Sequence, residues 1–309
     1  MKKLLALLTV AVLLLAAGCA KAPAEPVKIA ALKGPTGMGI SYLMDDNAQY
    51  SVELQDAPDV VVGKFVSGEI DIAAVPINLA ATLYNKTEGN VVMLNLDTLG
   101  VLYIVENGDT IHSIADLAGK TVYASGEGAT PQFVLDYLLS QNGLTDQVKV
   151  EYVGEHTALA AMAASGEAQI ALLPEPFVSS VLVKNSNARV ALDLNQDWES
   201  ASGTKLVTGV YIASRTFYDA HPDQIKAFLK DYAASVEMVN TSADAAQKIA
   251  DLGIVGSAAI AKLAIPRSYI VSVSGAEMKS AASAVLGVLF AANPASVGGK
   301  LPGDDLYAE

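Results

Sequence analysis

The chain has 309 residues, 33 of them acidic and 20 basic, for a formal net charge of −13 at neutral pH. That balance excludes nucleic acid and an anionic membrane face as natural partners. A single cysteine, Cys19, rules out an internal disulfide, so stability has to come from packing. The roughly 290 residues beyond a leader exceed what one hydrophobic core organises, which predicts two lobes.

Lys2 and Lys3 precede an apolar run over residues 4–15, the length of a signal-peptide core. It is too short for a bilayer span, which needs roughly 20 apolar residues. Ala16-Ala17-Gly18-Cys19 then resembles a bacterial lipobox, with Ala16 where many such motifs carry Leu. Residues 1–18 are therefore read as a signal peptide, Cys19 as the lipidation site, and residues 19–26, with Pro23 and Pro26, as a tether. One acyl chain holds only marginally, so a second or third is expected.

Residues 27–32 read as a short apolar strand that runs into Lys33-Gly34-Pro35-Thr36-Gly37-Met38-Gly39, with a helical pattern from Ile40 to Met44. A strand passing through a Gly-rich turn into a helix aims backbone N–H groups at whatever lies above the turn. A second strand is predicted at 52–54 and a helix at 58–66, followed by Ser67-Gly68-Glu69-Ile70-Asp71-Ile72-Ala73-Ala74-Val75-Pro76, a helix stop and a buried strand. About a hundred residues on, a helix at 158–164 leads into Ser165-Gly166-Glu167-Ala168-Gln169-Ile170-Ala171-Leu172-Leu173-Pro174. The two segments share Ser, Gly, Glu, Ile, Ala and Pro at the same spacing, so we read them as equivalent units of two similar lobes.

Between them, strands are predicted at 99–105, 120–124 and 148–153, a short helix at 113–117, and an amphipathic helix at 132–142 opened by Pro131. Residues 206–213 echo 98–105, and these two segments are expected to carry the chain out to the second lobe and back. Everything after Ser214 reads as helical: 222–239, 243–252, 257–264 and 275–292. The predicted organisation is one lobe from 27–101 and 209–309, holding both chain ends, and a second from 102–208.

The strand-to-glycine opening, the Ser67 to Pro76 unit, Asp116-Leu117-Ala118-Gly119-Lys120 before the strand leading to Gly126, and Ala220-His221-Pro222-Asp223 before Ile225-Lys226-Ala227-Phe228-Leu229 occur in this order along nearly the whole mature chain. As an ordered set they resemble the nitrate, sulfonate, taurine and thiamine-precursor group of ABC-importer periplasmic binding proteins. The resemblance implies an α/β, two-lobed type II periplasmic-binding-protein fold with two crossing hinge strands. It also implies a small-molecule solute held in the cleft, a cognate ABC permease with its ATPase, an extracytoplasmic lipid-anchored monomer, and no cofactor or metal. Two other readings stay open: an enzyme of the same fold from pyrimidine or menaquinone pathways, and a surface sensory binding protein. No zinc-type Cys/His spacing, nucleophile elbow or P-loop favours the enzyme.

In open α/β sheets ligands sit beyond the carboxyl ends of the strands. That rule selects Gly34, Thr36, Gly37 and Met38, then Asn78, Gly126, Gly128, Ala129 and Thr130, then His156, Glu175 and Phe177, and Thr98 and Thr208 from the crossings. Several have a plainer use: the glycines in the turn, and Asn78 and Thr130 as helix caps. Trp198 and Tyr42 offer flat faces, though packing is their commoner fate. Glu175, fixed between Pro174 and Pro176, is the leading candidate to hold an amine or ring N–H. Arg189, Arg215 and Arg267 all fall outside the predicted cleft loops, whereas Glu127, Glu155 and Glu175 fall within them. A neutral or amine-bearing organic solute is therefore expected in preference to nitrate or sulfate. Replacing Glu175 with Gln is expected to weaken such a solute tenfold or more, about 1.4 kcal/mol by calorimetry.

Overall fold

The computed structural model describes residues 25–45 and 48–308; the expected signal, Cys19 and most of the tether lie outside them. The described residues form two separate sheets with helices packed against them. The larger begins with β1 (Val27–Leu32), α1 (Pro35–Ile40), β2 (Tyr50–Gln55), α2 (Pro58–Ser67), β3 (Ile72–Pro76), α3 (Ile77–Lys86) and β4 (Val91–Leu99). The smaller holds β5 (Leu102–Asn107), β6 (Thr121–Ser125), α4 (Thr130–Gln141), β7 (Lys149–Val153), α5 (His156–Ser165), β8 (Ile170–Pro174), α6 (Phe177–Lys184), β9 (Ala188–Asp193) and α7 (Leu194–Ser202). The chain then returns through β10 (Val207–Ser214), α8 (Arg215–Ala220), α9 (Pro222–Thr241), α10 (Ala245–Asp251), α11 (Ala258–Ala264), β11 (Ile270–Val273) and α12 (Gly275–Ala292).

The strand orders are β11-β4-β10-β3-β1-β2 and β7-β6-β8-β5-β9. In each sheet three parallel strands meet one antiparallel strand, and the strand at that junction is the repeated one. β3 pairs with β10 through Pro76 and Gly209, and β8 pairs with β5 through Pro174 and Leu102. The helices before β3 and β8 both stop at a left-handed glycine, Gly68 (φ 76°) and Gly166 (φ 82°), a conformation that glycine adopts without steric cost. The repeated phrase is thus one structural device used in each lobe.

Three expectations change. The predicted strand 99–105 is two strands in different sheets, broken where Gly100 (φ 63°) and Val101 (φ 72°) turn left-handed. The strand at 206–213 lies wholly in the larger sheet, so the return crossing is residues 203–206, tied to the outward one by the Gly100 N–H donating to the Leu206 carbonyl at 2.8 Å. The C-terminal part is not all helical: β11 pairs with the edge of β4, a strand that sequence reasoning also passed over because Asn95 and Asp97 interrupt its apolar run. Lateral bonds join the lobes beside this hinge, from Tyr103 Oη to the Arg267 carbonyl and from Tyr269 Oη to Asp193 Oδ2, both 2.6 Å.

Neither Gly68 nor Gly166 has a neighbour within 4 Å of where a Cβ would stand, so substitution there tests backbone conformation alone. Gly68→Ala and Gly166→Ala are each expected to cost about 1–2 kcal/mol in urea unfolding, with similar values at the two equivalent positions.

Candidate functional site

The carboxyl ends of β1, β3 and β8, the outward crossing at Val101 and the start of β10 converge on a cavity of about 600 Å³ between the two sheets. Among the predicted contacts, Gly34, Thr36, Thr98, His156, Glu175, Phe177 and Thr208 line it. Lys33, Asp56, Val101, Glu155, Thr157, Gly209 and the segment Ile254 to Gly256 complete much of the wall. Gly34 approaches the other lobe closely, since a Cβ there would stand 3.5 Å from Pro176 Cδ.

The other predicted contacts sit elsewhere. Helix α1 starts at Pro35, five residues before the expected Ile40, so Gly37 and Met38 are helical. Met38 is fully buried, and Gly37 gives way to strand β1, where a Cβ would meet the Leu32 carbonyl at 2.6 Å. The glycines of this segment serve helix packing as well as the turn. Gly126 and Gly128 take positive φ in the turn before α4 and, with Ala129, stand outside the cavity wall. Asn78 and Thr130 touch one another across the lobes, Thr130 Oγ1 donating to Asn78 Oδ1 at 3.5 Å. Trp198 is buried against Tyr137, ring centroids 4.8 Å apart, and Tyr42 donates to Asp244, so both rings are used in packing.

Glu175 lines the cavity, yet its carboxylate is already engaged. Oε2 accepts from the Ser179 N–H at 3.1 Å and Oε1 from Ser179 Oγ at 2.9 Å, which caps α6 from within. Burial pushes this carboxyl up to about 7 in spite of those bonds. His156, the first residue of α5, lies tilted against Phe177 with ring centroids 5.3 Å apart, and its Nδ1 lies 2.6 Å from Ser125 Oγ. Burial lowers its pKa and favours the neutral ring. Lys33 is spent on Asp56 at 2.8 Å. Helices α2, α5 and α6 begin on the cavity wall, at Pro58, His156 and Phe177, and bring first-turn N–H groups and the positive end of each helix dipole.

Sequence reasoning missed Asp97. The pairing of β4 with β10 skips it, going from Thr98 opposite Gly209 to Leu96 opposite Val210, so Asp97 occupies a β-bulge. It is fully buried, and among the described residues neither carboxyl oxygen makes a hydrogen bond of good geometry, the neighbouring Thr98 hydroxyl and its own backbone giving it only weak support. Its Oδ1 fills the space that a side chain at Gly209 would need. Burial pushes its pKa up to about 7.

The family described as the phosphonate periplasmic substrate-binding protein of ABC transporters matches residues 41–261, more than half of the chain. The chain belongs to this family. It is therefore an ABC-transporter periplasmic substrate-binding protein and not an enzyme, which removes the pathway-enzyme alternative. An ABC transporter from Parabacteroides distasonis is 25% identical over 93% of this chain and 99% of that one, with a TM-score of 0.80. The aliphatic sulphonate binding protein SsuA of Escherichia coli shares the fold at 17% identity, covering 91% and 93% of the two chains with a TM-score of 0.71. The nitrate-binding protein NrtA of Synechocystis is more distant, at 14% identity over 73% and 66% of the chains with a TM-score of 0.52. No curated protein gives a significant sequence match.

The two raised carboxyls give this binding protein a definite pH response. An acid whose folded pKa lies above its unfolded value keeps its proton longer in the native state, so stability falls as pH climbs from about 4 to about 7. Asp97→Asn is expected to flatten that fall and to leave the protein about 2–4 kcal/mol more stable than wild type at pH 8, with little gain at pH 4, by urea titration.

Proposed function

We propose that this binding protein is a lipid-anchored receptor that captures a small organic solute bearing both a protonated amine and an oxyanion, and delivers it to an ABC permease. The wall of the cavity carries the reading. Glu155 and Glu175 face it, while the basic side chain on it, Lys33, is paired with Asp56. A bare dianion entering there meets net negative charge. The starts of α2 and α5 on the same wall supply N–H donors suited to an oxyanion. A solute with both charges uses both sets of groups. The phosphonate description of the family and the sulphonate of the E. coli neighbour supply the oxyanion class. The volume is that of a small-molecule site.

On this reading the lobes, residues 27–101 with 209–309 and residues 102–208, move about Gly100, Val101 and the return crossing, and a bound solute shifts the balance toward the closed form. The protein acts as a monomer held to the extracytoplasmic face of the membrane through acylated Cys19.

Native mass spectrometry of freshly purified protein is expected to show one small adduct that is lost on unfolding and whose mass fits an amine-bearing oxyanion. An adduct without nitrogen removes the amine from the reading. Cys19→Ser is expected to move the protein from the membrane fraction to the soluble fraction; retention on membranes excludes the lipid anchor.

A further inference from the structure

Resting on the solute class just described, we infer that Asp97, acting with the neighbouring Thr98 hydroxyl, forms the subsite for the ammonium group at the floor of the cleft, above Gly209. Most of the other carboxyls at the cavity already have partners: Glu175 holds Ser179 with both oxygens, and Asp56 holds Lys33. Among the described residues Asp97 has no well-formed bond to either oxygen, only the weak support of the adjacent Thr98 hydroxyl and its own backbone, and Thr98 Oγ1 has no other partner. Buried polar groups are rarely left without partners, and the exceptions mark strain, a ligand or an unseen water.

The geometry opens toward the cavity. The bulge at Asp97 directs its side chain under Gly209 and Thr36, both of which line the cleft. Gly209 itself lines the cavity and, having no side chain, leaves room for the carboxyl against its backbone. A side chain there would collide with Asp97 Oδ1 and would also stand 3.2 Å from the Thr36 methyl. A cation resting on Gly209 lies a few ångströms from an unscreened carboxylate, where Coulomb attraction is far stronger than in water. Thr98 lines the cavity beside it, and its enclosed hydroxyl can donate to the carboxylate. Asp97 is then a positioning charge, and Thr98 holds it in place.

The subsite works only with Asp97 ionised, so preference for an amine should rise with pH. Burial holds this acid near pH 7, and the other titratable groups facing it are Tyr211 of β10 and Tyr232 of α9, both kept neutral by burial. Glu175 and His156, elsewhere on the wall, also titrate, but they remain in a variant that lacks Asp97.

Calorimetry with 2-aminoethylphosphonate and ethylphosphonate tests this, because the two probes share the oxyanion and differ in the amine. In wild type the affinity ratio favouring the amine is expected to exceed tenfold at pH 8 and to fall severalfold by pH 6. In Asp97→Asn it is expected to be close to one at both values, and in Thr98→Val to be reduced, with the far-ultraviolet circular dichroism of each variant unchanged. A wild-type ratio that does not move with pH, or that survives in Asp97→Asn, overturns the subsite and leaves the binding reading intact. If Asp97→Asn fails to fold, Thr98→Val decides: an undiminished ratio overturns the subsite. Wild type that binds neither probe removes the solute class, and the subsite falls with it.

Discussion

The architecture hangs on one pairing made twice. Each repeated strand, β3 and β8, forms its antiparallel ladder with the strand by which the chain enters that sheet from the other lobe, β10 and β5 respectively. Those ladders seat the crossings at the carboxyl ends of the parallel strands, where the helix starts also collect. The cavity is a consequence of that arrangement, since its wall is assembled from strand ends, helix starts and crossing segments that the pairing brings together. Val101 marks the mechanical cost: a β-branched residue held at φ 72° between the two sheets is an uncommon backbone state, tolerated here because both neighbouring strands are fixed by their partners.

The site trades stability for recognition. Two carboxyls buried at or beneath the cleft, Asp97 and Glu175, are kept near pH 7 by the loss of water. An apolar residue at either place would make a more stable fold. Glu175 recovers part of the penalty through its bonds to Ser179, and Asp97 recovers less, from the neighbouring Thr98 hydroxyl and its own backbone.

Much of the frame was legible in the residues, and the reasons are local. Gly68 and Gly166 announce helix stops, Pro58 and Pro131 announce helix starts, and the shared phrase ending at Pro76 and Pro174 announces equivalent strands. Strand β1 and helix α12 fall where hydrophobic periodicity places them. Illegible was whatever depends on chain pairing at a distance. The break at Gly100 looks like the interior of an apolar strand until the two sheets are seen, and β11 has too few residues to carry a pattern. Around the cavity, strand ends and helix starts could be read, which is why Gly34, His156 and Glu175 were expected where the cavity wall has them. The bulge that buries Asp97 could not be read, because a register shift leaves no mark on one strand's own sequence.

The grip on Ser179 gives Glu175 a further significance. With its side chain bonded to the first turn of α6 at two points, that carboxylate and that helix form a rigid unit. Helix α6 in turn packs against α11 of the opposite lobe. One short helix thus joins an oxygen atom on the pocket wall to the seam between the lobes, so the interior and the seam share a single structural member.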